Sequence, residues 1–148
     1  MNAPRPPLAC TGARLRRLTR RVTVFYEQYL RTVGLRLTQY SVLAHLELEP
    51  QPLQILAEKL EMDRTTLTRG IRPLVAAGWI AQTPGADARQ RLLALTPEGA
   101  ELRARAREVW ARAQLELEAV MDRDFVAELN LTLEAALLRL KPALPEDN

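Results

Sequence analysis

Asp63-Arg64-Thr65-Thr66-Leu67-Thr68-Arg69-Gly70-Ile71-Arg72-Pro73-Leu74-Val75-Ala76-Ala77-Gly78-Trp79-Ile80 decides the fold of this chain. Asp63 suits a helix N-cap, because its carboxylate can accept from the free N–H groups of the first turn. From there Leu67, Ile71, Leu74, Val75 and Gly78 recur at the spacing of one helix face. The other face carries Arg64, Thr65, Thr68, Arg69 and Arg72, so a helix that buries one stripe displays a polar, cationic one. Pro73 lies inside the pattern, where its missing N–H and ring clash cost ~3 kcal/mol and predict a kink. After Gly78 the period changes. Trp79-Ile80-Ala81 and Arg91-Leu92-Leu93-Ala94-Leu95 are strand-like runs flanking the turn chemistry of Thr83-Pro84-Gly85-Ala86-Asp87. A two-stranded hairpin is expected.

Working back toward the N-terminus, Pro52, tolerable at a first helical position, precedes Leu53, Leu56, Ala57 and Leu60, a short amphipathic helix. Before it, Thr38 offers a hydroxyl cap for a helix that turns Val42, Leu43 and Leu46 inward and stops at Glu49-Pro50-Gln51-Pro52. A long first helix carries Leu15, Leu18, Val22, Phe25, Tyr26, Tyr29, Leu30 and Val33 on one face and ends near Gly34. Beyond the hairpin, Thr96-Pro97-Glu98 combines a hydroxyl cap, a first-position proline and an acid at the positive end of the helix dipole. Leu102 to Val120 extend that fifth helix for about seven turns, and Phe125, Leu129, Leu133, Ala136, Leu137 and Leu140 mark a sixth. The terminal Lys-Pro-Ala-Leu-Pro-Glu-Asp-Asn is expected to fray.

With 148 residues, 47% hydrophobic and 26% charged, the chain has material for one domain and its core. Its longest apolar run, Leu74 to Ala81, is far short of the ~20 residues a membrane helix needs. The first ten residues hold no apolar signal core, so a cytoplasmic location is expected. One cysteine and one histidine cannot furnish an ordinary structural zinc site, and no cofactor is expected. The net charge of +3 is segregated. Residues 1–36 hold eight Arg against one Glu, and residues 37–63 one Lys against five acids. Residues 64–91 hold five Arg against one Asp, and residues 92–148 seven bases against eleven acids. Of the 21 bases only Lys59 and Lys141 are lysine, and arginine is the side chain whose planar fork matches phosphate and guanine edges. An arginine-rich composition or a solvated basic face explains the charge equally well, so the order of elements has to decide.

Two short helices, the second basic outward, followed directly by a hairpin, describe a winged helix-turn-helix. The fold class expected is mainly α with a small β-hairpin wing, flanked by long N- and C-terminal helices. A helix fills the major groove of double-stranded DNA, and an arginine at the wing tip reaches the neighbouring minor groove.

Four stretches in this order resemble the MarR family, the multiple antibiotic resistance regulators. They are Gly34 to Leu43, Leu53 to Leu60, Asp63 to Ile80, and Asp87-Ala88-Arg89 with Leu95-Thr96-Pro97-Glu98-Gly99; the last looks like the family's D-x-R wing and L-T-x-x-G helix start. The resemblance covers residues 12 to about 140. It implies one domain over 1–148, with a winged lobe at about 38–96 and dimerisation helices at about 10–34 and 97–140. It further implies a homodimer that binds a pseudo-palindromic operator, most often as a repressor. Arg64, Thr65, Thr66, Thr68 and Arg69 match the family's groove-facing positions, Arg89 its wing-tip arginine and Asp87 the acid that orients the wing. Arg72 and Arg91 are expected to contact phosphates rather than bases. Arg14, Arg16, Arg17, Arg20 and Arg21 are either a phosphate-facing edge or a solvated helix face.

Relatives in the family release DNA on binding a small aromatic or phenolic effector between lobe and dimer helices, for which Tyr26, Tyr40 and His45 are the candidates here. Core or interface packing is their alternative role. A branch that senses organic hydroperoxides uses an N-terminal cysteine; Cys10 lies two residues before the aligned position near Gly12, and the alternative is an inert thiol. Two competing functions remain open at this point: a non-specific architectural DNA binder, and a winged-helix module for protein interaction. The chain has no glycine-rich phosphate loop and no nucleophile motif, so no catalytic residues are assigned and an enzyme is not expected.

Overall fold

The structure, a computed structural model, describes residues 10–141. The expected fraying of the C-terminal tail beyond Lys141 and the reading of the first nine residues lie outside that range. The elements are α1 (Thr11–Leu30), a 3-10 turn (Arg31–Val33), α2 (Leu37–Ala44), β1 (Gln51–Pro52), α3 (Leu53–Leu60), α4 (Arg64–Ala76), β2 (Ile80–Pro84), β3 (Arg91–Leu95), α5 (Pro97–Met121) and α6 (Arg123–Leu140). The fold is mainly helical with a small wing, as the order of motifs predicts. It divides into two compact units, Met1–Ala111 and Arg112–Asn148.

Two local features differ from the sequence expectation. First, α2 begins at Leu37, with Arg36 and not Thr38 at the cap, because the Gln39 side chain accepts from the Arg36 N–H at 2.9 Å and moves the cap two residues earlier. Second, the sheet has three strands in the order β1-β3-β2, not two. Gln51 and Pro52 pair with Leu93 and Leu92 along the edge of β3 that the hairpin leaves open, and Pro52 is accordingly the N-cap of α3 rather than its first residue. Pro73 lies inside α4, which continues for a further three residues beyond it.

In the first unit α2, α3 and α4 pack on one another, α4 also packs on β2, and α3 on β1 and β3. Their apolar stripes bury Leu43, Leu46, Leu56, Leu67, Ile71 and Leu74 almost completely. Leu46 lies two residues past the end of α2 and is still fully buried. Gly78, at φ +77°, closes α4 in the left-handed conformation that a side chain would strain.

The start of α5 is locked to that turn. Thr96 caps α5 by accepting from the Gly99 N–H at 3.0 Å, and its hydroxyl donates to the Gly78 carbonyl at 2.6 Å. The Thr96 N–H donates to the Trp79 carbonyl at 3.1 Å. A Cβ on Gly99 would collide with that same carbonyl, so the helix can approach only with glycine there.

The second unit holds the end of α5 and α6. Asp122, at φ +72°, caps α6 by accepting from the Asp124 and Phe125 N–H groups at 3.0 and 3.1 Å. Large apolar side chains in this unit stand exposed in the single chain: Val120 at 73%, Leu131 at 73%, Leu138 at 72% and Leu115 at 67%.

Candidate nucleic-acid interface

The N-terminus of α4 is fixed by Asp63. Its carboxylate accepts from the Thr66 N–H at 2.8 Å and from the Thr66 hydroxyl, and these bonds hold its pKa below the ordinary carboxylate value. Thr68 donates its hydroxyl proton to the Arg64 carbonyl at 2.7 Å, one turn back. Thr66 and Thr68 therefore spend their hydroxyl protons on the Asp63 carboxylate and the Arg64 carbonyl, and their oxygens remain available only as acceptors. Arg64, Thr68 and Arg72, four residues apart, form one stripe along α4, while Thr65 and Arg69 are displayed on the adjoining stripe.

The wing tip is shaped by Asp87. Its side chain accepts from the Arg89 N–H at 3.1 Å, its carbonyl accepts from the Gln90 N–H at 2.8 Å, and the Gln90 carbonyl accepts from the Gly85 N–H at 2.9 Å. The turn therefore folds around Asp87 and leaves Arg89 exposed.

Between α4 and the wing lies an open cleft of about 620 Å³. Arg64, Thr68 and Arg72 line one wall and Arg89 and Arg91 the other. Four of the assigned arginines thus converge from two elements, whereas Thr65, Thr66, Arg69 and Asp87 lie outside the lining. The ion pairs among the described residues involve Arg31, Arg103 and Arg123, so none of the cleft arginines is neutralised by a carboxylate. Unpaired, exposed guanidinium groups facing one another across a groove-sized space are what phosphate and base edges bind.

The cleft also contains Gln54 at the start of α3, Gln82 on β2 and Gln90 beside the wing tip, which the sequence analysis did not single out. Their amides can both donate to and accept from base edges and phosphates. Nothing in the sequence marks them, since they come from three separate elements.

A second concavity, about 730 Å³, lies between α2 and α5 and is lined by Tyr40, Ala44, Glu47, Ala100, Arg103, Ala104, Arg107, Glu108 and Ala111. Of the three residues expected to form an effector pocket, only Tyr40 lines this groove. Tyr26 is buried, its ring stacked 6.5 Å from Trp110, whose other neighbour is Tyr40 at 6.3 Å. His45 is exposed at the end of α2, with its Nδ1 2.8 Å from the Ser41 carbonyl. Burial pushes the Tyr40 pKa above its ordinary value, opposed by the positive charges of Arg107 and Arg103. Cys10 is exposed at the N-cap of α1. The described residues contain no group of three His, Cys, Asp or Glu that could hold a metal ion, and no helix long and apolar enough to cross a membrane.

Residues 35–90, which span α2 to the wing tip, match the MarR family. No curated protein matches the chain. Among solved structures, the chain is 32% identical to the transcriptional regulator MOSR of M. tuberculosis, solved in complex with DNA. That match covers 86% of this chain and 98% of the other, with a TM-score of 0.70. Similarity at 27% identity and a TM-score of 0.77 extends to the transcriptional repressor CouR bound to a 23-mer DNA duplex, over 86% of this chain and 92% of that one. The fold is further shared with a mutant MarR of E. coli complexed with operator DNA, at 24% identity, a TM-score of 0.77, and coverage of 88% and 95%.

Proposed function

The chain belongs to the MarR family of DNA-binding transcriptional regulators, and on that footing we propose that it is a cytoplasmic, homodimeric repressor of a pseudo-palindromic operator. The observation that carries DNA binding in detail is the cleft in which Arg64, Arg72, Arg89 and Arg91 face one another without carboxylate partners. In this reading α4 enters the major groove with Arg64, Thr65, Thr66, Thr68 and Arg69 toward the bases, and Thr66 and Thr68 offer acceptors or methyl contacts. Arg72 and Arg91 hold phosphates, and Arg89, presented by Asp87, enters the minor groove.

The winged lobe, about 38–96, does the reading, and the helices at about 10–34 and 97–140 pair two copies. Support for pairing comes from Leu115, Val120, Leu131 and Leu138, more apolar surface than a short helical unit leaves to water without a partner. Two lobes related by a two-fold axis then read two half-sites about one helical turn apart.

Release is assigned to a small aromatic or phenolic effector in the groove between α2 and α5. Its alanines leave room for a ring, and Tyr40, Arg103 and Arg107 supply a hydroxyl and two cations for a phenolate or carboxylate. CouR of Rhodococcus jostii RHA1 has been solved with p-coumaroyl-CoA bound. Oxidation of the exposed Cys10 is the second release route; sulfenic acid undetectable after peroxide treatment, with DNA affinity unaltered, removes it.

The test is binding to a randomised duplex pool, with sequencing of the bound fraction at two salt concentrations. Enrichment of a two-fold-symmetric site is expected. Salt-sensitive binding without enrichment would instead mean an architectural binder, and no binding would leave the winged lobe as a protein-interaction module.

A further inference from the structure

Three successive backbone carbonyls follow the end of α2, and each is taken by a different part of the first unit. The His45 carbonyl accepts from the Gln51 side chain at 3.1 Å, and Gln51 itself pairs with Leu93 of β3. The Leu46 carbonyl accepts from the guanidinium of Arg103 on α5. The Glu47 carbonyl accepts from the Leu95 N–H at 2.7 Å, at the base of the wing strand. Arg103 also approaches the Glu47 carboxylate at 3.6 Å; its side chain is 28% exposed and that of Glu47 68%.

We propose that Arg103 is a positioning residue for DNA binding: it ties α5 to the 45–47 turn and, through the Glu47 carbonyl, fixes the base of β3 and the pose of the wing. The inference goes beyond the direct contacts assigned above, because Arg103 is absent from the cleft that faces DNA. It rests on the wing being a DNA-contacting element.

The physical grounds are two. The Leu46 carbonyl belongs to a fully buried residue just past the end of α2, and the Arg103 guanidinium satisfies it. Arg103 is more shielded than Glu47, so the bond to the Leu46 carbonyl carries the tie, while the ion pair to a largely exposed carboxylate adds little. Arg107 lines the α5 wall of the groove beside Arg103, and Tyr40 lines the α2 wall opposite, so the tie stands where the effector site and the wing base meet.

The experiment compares Arg103→Ala, Arg103→Lys and Glu47→Gln in the full chain. DNA affinity is measured against salt on the selected duplex, and backbone hydrogen exchange is measured without DNA. Arg103→Ala is expected to bind about tenfold more weakly, with any fall in salt slope confined to the contact of Arg91, the phosphate-holding arginine on the strand that Arg103 fixes. Exchange should quicken at Leu95 and across residues 45–52, while α4 stays as protected as in the parent. Arg103→Lys should recover most of the affinity, since an ammonium still donates to the Leu46 carbonyl, and Glu47→Gln should stay within about twofold.

Unchanged affinity in Arg103→Ala overturns the proposal. So does a salt slope lower by about one that persists in an Arg91→Ala background, which would make Arg103 itself a phosphate contact, or equal loss of protection in α4, which would make it a general stabiliser. If the alanine variant does not fold, Arg103→Gln replaces it under the same criteria. Should the parent bind no DNA, the proposed function fails, while the exchange comparison still decides whether the tie exists.

Discussion

The wing tip offers the sharpest test of how the structure presents its charge. On the proposed DNA-contacting surface Asp87 is a carboxylate among arginines, and its geometry assigns it a shaping role: it accepts from the Arg89 N–H at 3.1 Å and its carbonyl closes the turn at Gln90. Replacing it with alanine changes shape and charge together, and removing a negative charge near DNA strengthens binding. Asp87→Asn separates the two, because it keeps an oxygen acceptor for the Arg89 N–H and lacks the charge. The informative cycle therefore runs from Asp87→Asn to Asp87→Ala, each with and without Arg89→Ala.

An arginine making a desolvated groove contact contributes about 1–3 kcal/mol. The exposed hydrogen bond that holds its backbone is worth about 0.5–1.5 kcal/mol. With asparagine at 87, Arg89→Ala should cost the full amount. With alanine at 87 the turn is loose and the same change should cost about 1 kcal/mol less, a coupling well above the ~0.5 kcal/mol scatter of independent sites. Fluorescence anisotropy on the selected duplex at fixed salt gives all four affinities. Equal losses in both backgrounds would mean that Asp87 does not orient Arg89, and no loss in either would remove Arg89 from the interface.

Three further outcomes are expected. Gly99→Ala should lower stability by about 1–3 kcal/mol, because the new methyl meets the Trp79 carbonyl; an unchanged melting temperature would show that α5 can shift aside without loss. Asp63 has a folded pKa below its unfolded one, so its stabilisation is present above the unfolded value of about 3.9 and is lost as pH falls through the folded value. The stability gap between the parent and Asp63→Asn should accordingly hold near neutrality and close below about pH 4; a gap constant across a pH series of thermal melts would contradict this. Leu131→Glu combined with Leu138→Glu should yield monomers in sedimentation velocity, and a persistent dimer would move the pairing surface away from these side chains.

What was legible in the sequence was local. Asp63 and Thr96 announce helix starts because their side chains bond N–H groups within three residues, and both caps form. The wing is legible because its turn and two strands are contiguous. β1 was not, since Gln51-Pro52 has no strand character of its own and is a strand only because the edge of β3 captures it. The arginines that line the cleft could be named from one helix and one turn, whereas Gln54, Gln82 and Gln90 meet only once three elements have folded. Tyr26, Tyr40 and His45 share an aromatic look in sequence. In the fold one stacks in the interior, one lines a groove and one bonds the end of its own helix.

The stack of Tyr26, Trp110 and Tyr40 gives the protein an optical gauge of its own. Of its two tryptophans, Trp79 sits at the turn closing α4, and Trp110 lies between a buried tyrosine and the tyrosine on the groove wall. With Trp79→Phe in place, the remaining emission comes from an indole one ring away from the groove. An occupant that moved Tyr40 would change its intensity or wavelength, so effectors can be screened by titration without a label, a cysteine or DNA.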